Sequence, residues 1–278
     1  MKMKYKILLI VSIIVVIIIA FLIVFTPGNH NKTIVFTPGN YDKTIESAIS
    51  KAILEENENG YLHGETQTEG HKTLKVEKSS NNQIKVYCIV SYGEFGFENN
   101  IFTKISGSGA IPTIITLSEN EFAEYILLNY EEPEDGALYF ESVQNMFPKQ
   151  LYPYVFVSDK YYDDLLGQQE EYAKQYLISI GREDSVVTGD YVDKTLATEM
   201  GMDVSASNKL LSMFWDYPHW IGTTETIENN TRYVYRKDFD ADRQIVTFTK
   251  TKEDGVIVEK YVIDTTGGEL TFLEGNPR

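Results

Sequence analysis

Residues 7–25 read ILLIVSIIVVIIIAFLIVF, nineteen residues without a charge and with Ser12 as the only polar side chain. A helix of that length rises roughly 28 Å, close to the hydrocarbon thickness of a bilayer. Lys2, Lys4 and Lys6 precede it with no acid among them, which predicts a cytoplasmic N-terminus. A signal peptide would have a shorter apolar run and a small-x-small cleavage site. Here the run ends Phe21-Leu22-Ile23-Val24-Phe25 with only Ala20 small, so the expectation is an uncleaved single-pass anchor over 7–25. Residues 1–6 are then a cytoplasmic tip, and the bulk of the chain is extracytoplasmic at the cell membrane.

That exterior carries the acidity. The formal charge is −16, all of the acids follow residue 41, and such a surface repels nucleic acid and anionic lipid. Cys88 is the only cysteine, so no internal disulfide staples an exported domain, which must stand on its own apolar core. With 42% apolar residues, including 14 Phe and 19 Tyr, it has the material.

Residues 24–34 (VFTPGNHNKTI) and 35–45 (VFTPGNYDKTI) form a tandem repeat, and 26–41 read as a turn-rich juxtamembrane spacer. A first helix is expected from Asp42 or Thr44 to Asn57, with Ile45, Ala48, Ile49, Ala52 and Ile53 on one face. Strands follow around Leu74–Val76, 84–91, 101–107, 111–117 and 124–131. Glu131-Glu132-Pro133-Glu134-Asp135-Gly136 marks a boundary. Beyond it come short helical pieces broken by Pro148 and Pro153, a long helix from Asp159 to Ile180 capped by Gly181, a polar irregular stretch over 182–205, and a short helix near 207–214. A four-stranded meander over 220–264 closes the chain, with turns at Asn229-Asn230, Asp240-Ala241-Asp242 and Asp254-Gly255. The fold class is α+β: a unit over 42–136 and a second over 137–278, each a helix with an antiparallel sheet.

Sites of chemistry are few. His63, Glu65, Glu69 and His71 fall at alternate positions, and imidazole and carboxylate are zinc ligands. On a straight strand, however, His63 and His71 stand roughly 26 Å apart, too far for one ion unless Gly64 and Gly70 bend the chain. His63 and Glu65 remain the metal candidates, against a solvated strand face. Asp238, Asp240 and Asp242 have the spacing of a calcium loop, but Arg243 stands where glycine is needed and Thr249 where glutamate is needed, so a charged turn is expected. Gly107-Ser108-Gly109 is not G-x-S-x-G, and neither H-E-x-x-H nor S-x-x-K occurs. No catalytic residue and no cofactor is assigned. Aromatic clusters are the binding candidates, because exposed aromatics stack on ligands and mark interfaces. One is Trp215, Tyr217, His219 and Trp220 around Pro218; the other is Tyr92, Phe95 and Phe97 among glycines, read as an exposed loop. Burial in the core is the alternative for both.

Several strings carry a resemblance: KVYCIVSYGEFGFENNIFTKISGSGAIPTIIT (85–116), EEPEDG (131–136), QQEEYAKQYLISIGR (168–182), SNKL (207–210) and YPHWIGTTETIENNTRYVYRKDFD (217–240). Together they resemble the extracytoplasmic tail of some Gram-positive members of the β-lactam-sensor/antirepressor family of membrane metallopeptidases. That family's peptidase part has several spans and an H-E-x-x-H site, and its acylated sensors need S-x-x-K; this chain has none of these. The resemblance therefore implies a sensing or regulatory module with an envelope protein or a cell-wall ligand as partner. An envelope hydrolase or metal-dependent enzyme with an unfamiliar site is the other expectation.

Overall fold

A computed structural model describes residues 43–277 apart from 80, 123, 190 and 191. The expected tip, anchor and spacer lie outside the described residues. Within them no helix is long and apolar enough to cross a membrane.

The architecture is α+β. Helix α1 (Lys43–Asn57) is followed by β1 (Thr66–Lys78), β2 (Gln83–Glu98), β3 (Ile101–Gly107), β4 (Ile111–Glu119) and β5 (Tyr125–Glu131). Helices α2 (Tyr139–Met146), α3 (Tyr152–Val155) and α4 (Tyr162–Ser179) come next, then the two-residue β6 (Val187–Thr188) and α5 (Val204–Met213). A meander of β7 (Gly222–Glu228), β8 (Thr231–Asp240), β9 (Ile245–Lys252), β10 (Ile257–Asp264) and β11 (Thr271–Glu274) ends the chain. The strands form one sheet, β6 alone pairing in parallel.

Period-two alternation along β2 explains the layering. Val86, Cys88 and Val90 face α1 and pack on Ile45, Ile49 and Ile53. Tyr87 and Ile89 face the other way, onto Val143, Leu151, Val155 and Leu165 of the α2–α4 layer. Ile49 and Ile53 are wholly buried, worth roughly 2 kcal/mol each. In the second half, Ala206 and Leu210 of α5 cover Phe239, Val246, Phe248 and Ile263. Helix α5 starts where Asp203 accepts from the N–H groups of Ser205 and Ala206, at 2.8 and 3.2 Å. Helix α4 ends at Gly181, whose φ of 73° lets Arg182 N–H reach the Leu177 carbonyl at 2.8 Å.

Three expectations are corrected. Tyr92, Phe95 and Phe97 do not lie in an exposed loop: they belong to β2 and are buried. The glycines among them serve close packing, since a Cβ on Gly93 would stand 2.4 Å from Gln169 Oε1 of α4. Nor is the strand face of Glu69, His71, Thr73 and Lys75 solvated: Glu69, Thr73 and Lys75 are buried and the His71 side chain is 8% exposed. Gly70 does not bend the chain. It lies within β1, where a Cβ would meet the Leu165 carbonyl oxygen at 2.2 Å.

The hairpins are as the turn chemistry dictates. Asn229 and Asn230 both take positive φ, 49° and 61°, as a two-residue type I′ turn requires. Asn99 and Asn100, at 52° and 64°, do the same between β2 and β3.

Candidate functional site

β2 is longer than any one neighbour, and the site follows from that. β1 runs along one edge from Lys78↔Ile84 to Thr66↔Phe95 and then leaves. β7 takes the same edge, but only at Glu98↔Thr224, supported by Asn99 N–H to the Thr223 carbonyl at 3.0 Å. Between the two departures the sheet opens into a cleft of about 650 Å³. The chain entering β1 (Leu62–Glu65) forms one wall and Thr224–Ile227 of β7 the other. Phe97 and Glu98 line it from β2, while Asp216, His219 and Trp220 come from the chain before β7.

Three carboxylates of this cleft, Glu65, Glu98 and Glu225, are paired with basic side chains. Arg232 of β8 binds both oxygens of Glu65, one at 2.9 Å, and Glu225 Oε2 at 2.9 Å. Arg182 donates to both oxygens of Glu225, at 2.6 and 3.3 Å. Both guanidinium groups lie over the Phe97 ring, 3.8 Å away for Arg182 and 5.4 Å for Arg232. Glu65 also accepts from the Tyr176 hydroxyl at 3.1 Å. Lys194 donates to Glu98 at 2.8 Å and stands 4.1 Å from the Trp220 ring centre. His219 packs edge-on against Trp220, 4.8 Å between centroids. Burial first, then the ammonium groups of Lys194 and Lys237, hold the His219 pKa below its ordinary value, so at neutral pH the ring is uncharged.

The cleft gathers five residues singled out in the sequence: His63, Glu65, Phe97, His219 and Trp220. Trp220 is only 5% exposed, and its indole N–H finds no acceptor among the described residues. The other candidates lie elsewhere. Trp215 is 80% exposed. Tyr217 is buried against Phe214, Tyr235 and Phe248. Tyr92 stacks on Tyr61 and donates to Glu94, and Phe95 packs on Phe102.

The metal candidates are separated by their partners. Glu65 is held by Arg232, whereas His63 Nδ1 stands 3.7 Å from Glu94 Oε1. No group of three or more His, Cys, Asp or Glu among the described residues is placed to hold a metal ion. Asp240 Oδ1 accepts from Arg243 N–H at 3.1 Å, as a charged turn should. Ser108 Oγ accepts from Tyr92 N–H at 2.9 Å.

Sequence reasoning missed Arg182, Lys194, Glu98, Glu225 and Arg232. Arg182 and Lys194 come from the polar stretch read as irregular, and only the β2–β7 junction brings them to the cleft.

Two buried polar clusters lie apart from it. His71 of β1 is gripped by two acids, Nε2 at 2.7 Å from Glu46 of α1 and Nδ1 at 2.9 Å from Glu69. Glu69 also accepts from Ser50 at 2.6 Å and from Tyr172 of α4 at 3.2 Å. Burial pulls the His71 pKa down, but the bonds to Glu46 and Glu69 outweigh it and lift it to about 9. For Glu69, burial pushes up and the bond from His71 prevails, leaving it below the ordinary value. Lys104 of β3 donates to the Ser108 carbonyl at 2.9 Å and has no carboxylate in an ion pair among the described residues; burial lowers its pKa to about 8. Beside it Gln169 donates to Ser91 at 2.7 Å, while its own carbonyl oxygen is buried without a partner among the described residues.

No family model matches this chain, and no curated protein or solved structure matches it either.

Proposed function

We propose that this chain is a single-pass, membrane-anchored module whose extracytoplasmic part binds a ligand or partner at the cell envelope, without catalysis, and that the cleft beside Trp220 is where it does so. The observation that carries the reading is the pairing of three of the cleft's carboxylates. Glu65, Glu98 and Glu225 each have a basic partner at hydrogen-bond distance. These carboxylates are committed to structural ion pairs with Arg232, Lys194 and Arg182. The remaining accessible surface is suited to stacking and apolar contact: exposed His219, with Leu62 and Ile227 at the rim. The apolar run at 7–25 and the resemblance of the segments from 85 to 240 to an extracytoplasmic sensor tail support the same reading.

The test is a thermal melt of the full chain in detergent micelles against zinc, calcium, a β-lactam and cell-wall fragments. The reading expects a saturable shift with an organic member of the panel, diminished in His219→Ala. A shift with zinc alone would favour a metal-dependent enzyme.

A further inference from the structure

The sheet's free edges are treated unequally. An open edge is a template for pairing with another chain, and proteins guard it by shortness, by coverage, or by Lys and Pro on the strand. β6 and β11 are short, with two and four residues. β1 has α4 along it, and Gln168 takes the His71 N–H at 3.1 Å. β7 is open where it faces the cleft, and β5 is open along its whole length. β5 has seven residues, YILLNYE, pairs with β4 alone, and no described strand meets its other edge. It carries neither Lys nor Pro. Ile126 and Leu128 are 50% and 48% exposed, Ile126 beside a pocket shared with Ala48 and Lys51 of α1, and Phe122 in the preceding turn is more exposed still.

The stretch of chain that carries this edge is charged with one sign, and Lys51 of α1 is the cation that lines a pocket with Glu124 and Ile126. Residues 105–148 contain eight acids and no Lys, Arg or His. None of those acids forms an ion pair among the described residues. Glu119, Glu121 and Glu124 lie at one end of β5, and Glu131, Glu132 and Glu134 at the other. A second copy pairing antiparallel on β5 would set Glu124 against Glu131 and Glu132, like charge on like.

We infer that the outer edge of β5 receives an extended basic segment of a partner protein, which joins the sheet as an added strand. Every second β5 residue turns its N–H and C=O away from β4 and supplies the ladder. Alternate apolar side chains of the partner would lie on Ile126 and Leu128, and Lys or Arg at its two ends would meet the flanking glutamates. This surface is separate from the cleft, so the two readings stand or fall independently.

The probe is a synthetic peptide of alternating valine and threonine with two lysines at each end, beside a counterpart with glutamates in place of the lysines. Binding to the full chain in micelles is followed by fluorescence anisotropy, and backbone amide exchange reports on β5. The basic peptide is expected to bind, to protect β5 amides, and to weaken about tenfold as salt rises from ~0.05 to ~0.5 M. Ile126→Lys and Leu128→Lys, at half-exposed positions that leave the core intact, are each expected to weaken it about tenfold, while His219→Ala leaves it unchanged. Equal binding of the two peptides, no binding of either, or binding without β5 protection would overturn the proposal. So would β5 amides already fully protected in the free chain. Protection that rises with protein concentration would assign the edge to a second copy, and protection independent of concentration to the chain's own residues before α1.

Discussion

Arg232 on β8 binds Glu65, 167 residues earlier, with the same guanidinium that binds Glu225 on β7. One side chain thus ties the entrance of β1 to the second meander across a junction that has a single ladder pair, Glu98↔Thr224. Arg232→Met leaves Glu65 without its basic partner in a buried setting. Breaking a buried pair from one side costs about 3–5 kcal/mol. Denaturant unfolding should show a loss of that size, and the cleft should lose its ligand response with it.

His71 ties α1 to β1. Its folded pKa of about 9 lies above the ordinary 6.5, so the contribution of the imidazolium is fully present below pH 6.5 and is lost as the pH rises through 9. Its size is on the order of 3 kcal/mol. Glu69 works in the opposite sense: its lowered pKa gives stability that is present above the ordinary carboxylate range and lost on acidification. Stability measured against pH should therefore fall between about 6.5 and 9 in the native chain, and that slope should vanish in His71→Gln.

Lys104 has the reverse dependence in an overlapping window. With a folded pKa of about 8 against an ordinary 10.5, the folded state carries at neutral pH a buried ammonium that has no ion-pair partner among the described residues, and is relieved of it as the pH rises from 8 to 10.5. Lys104→Met is expected to stabilise the protein by about 1–3 kcal/mol at pH 7. The gain should shrink to nothing above pH 10.5. Urea melts at three pH values decide this.

Gly70 tests the close approach of α4 to β1. A methyl group there would stand 2.2 Å from the backbone oxygen of Leu165, so helix or strand must move. Gly70→Ala should cost about 3 kcal/mol. Gly109→Ala, with nothing within 4 Å of the added atom, should change stability by less than about 0.5 kcal/mol.

Much of this architecture was legible locally. Ile45, Ile49 and Ile53 recur at helical spacing and do form the buried face of α1. Asn229-Asn230 and Asp254-Gly255 specify hairpins that the strands follow. The failures have one physical source, long-range approach. Gly93 and Gly96 suggested a loop, yet Gly93 is required because α4 packs against the strand there. His63 and Glu65 were visible as chemistry, and so were His219 and Trp220. Their convergence depends on β7 pairing with the end of β2, which no local pattern encodes. The aromatic cluster divided for the same reason. Trp215 points outward and Tyr217 inward, because the chain turns between α5 and β7 over a core that the sequence does not display.

That division governs how the cleft is probed. Trp220→Ala removes a buried ring and is expected to cost about 3–5 kcal/mol, so loss of binding in it would report unfolding. Trp215→Ala, at an 80% exposed position, should be neutral within about 0.5 kcal/mol. His219→Ala, at an exposed position that lines the cleft, is expected to keep the fold and alter the cleft.

The most direct measurement is the thermal melt of the full chain and of His219→Ala, side by side, with cell-wall fragments and a β-lactam as ligands. A ligand present at ~100 times its dissociation constant adds about 2.7 kcal/mol, a shift well within reach of a melt. A saturable shift in the native chain that is reduced in His219→Ala is the predicted result. Equal shifts in both proteins, or a response to zinc that His219→Ala leaves intact, would contradict the assignment of the cleft as the binding site.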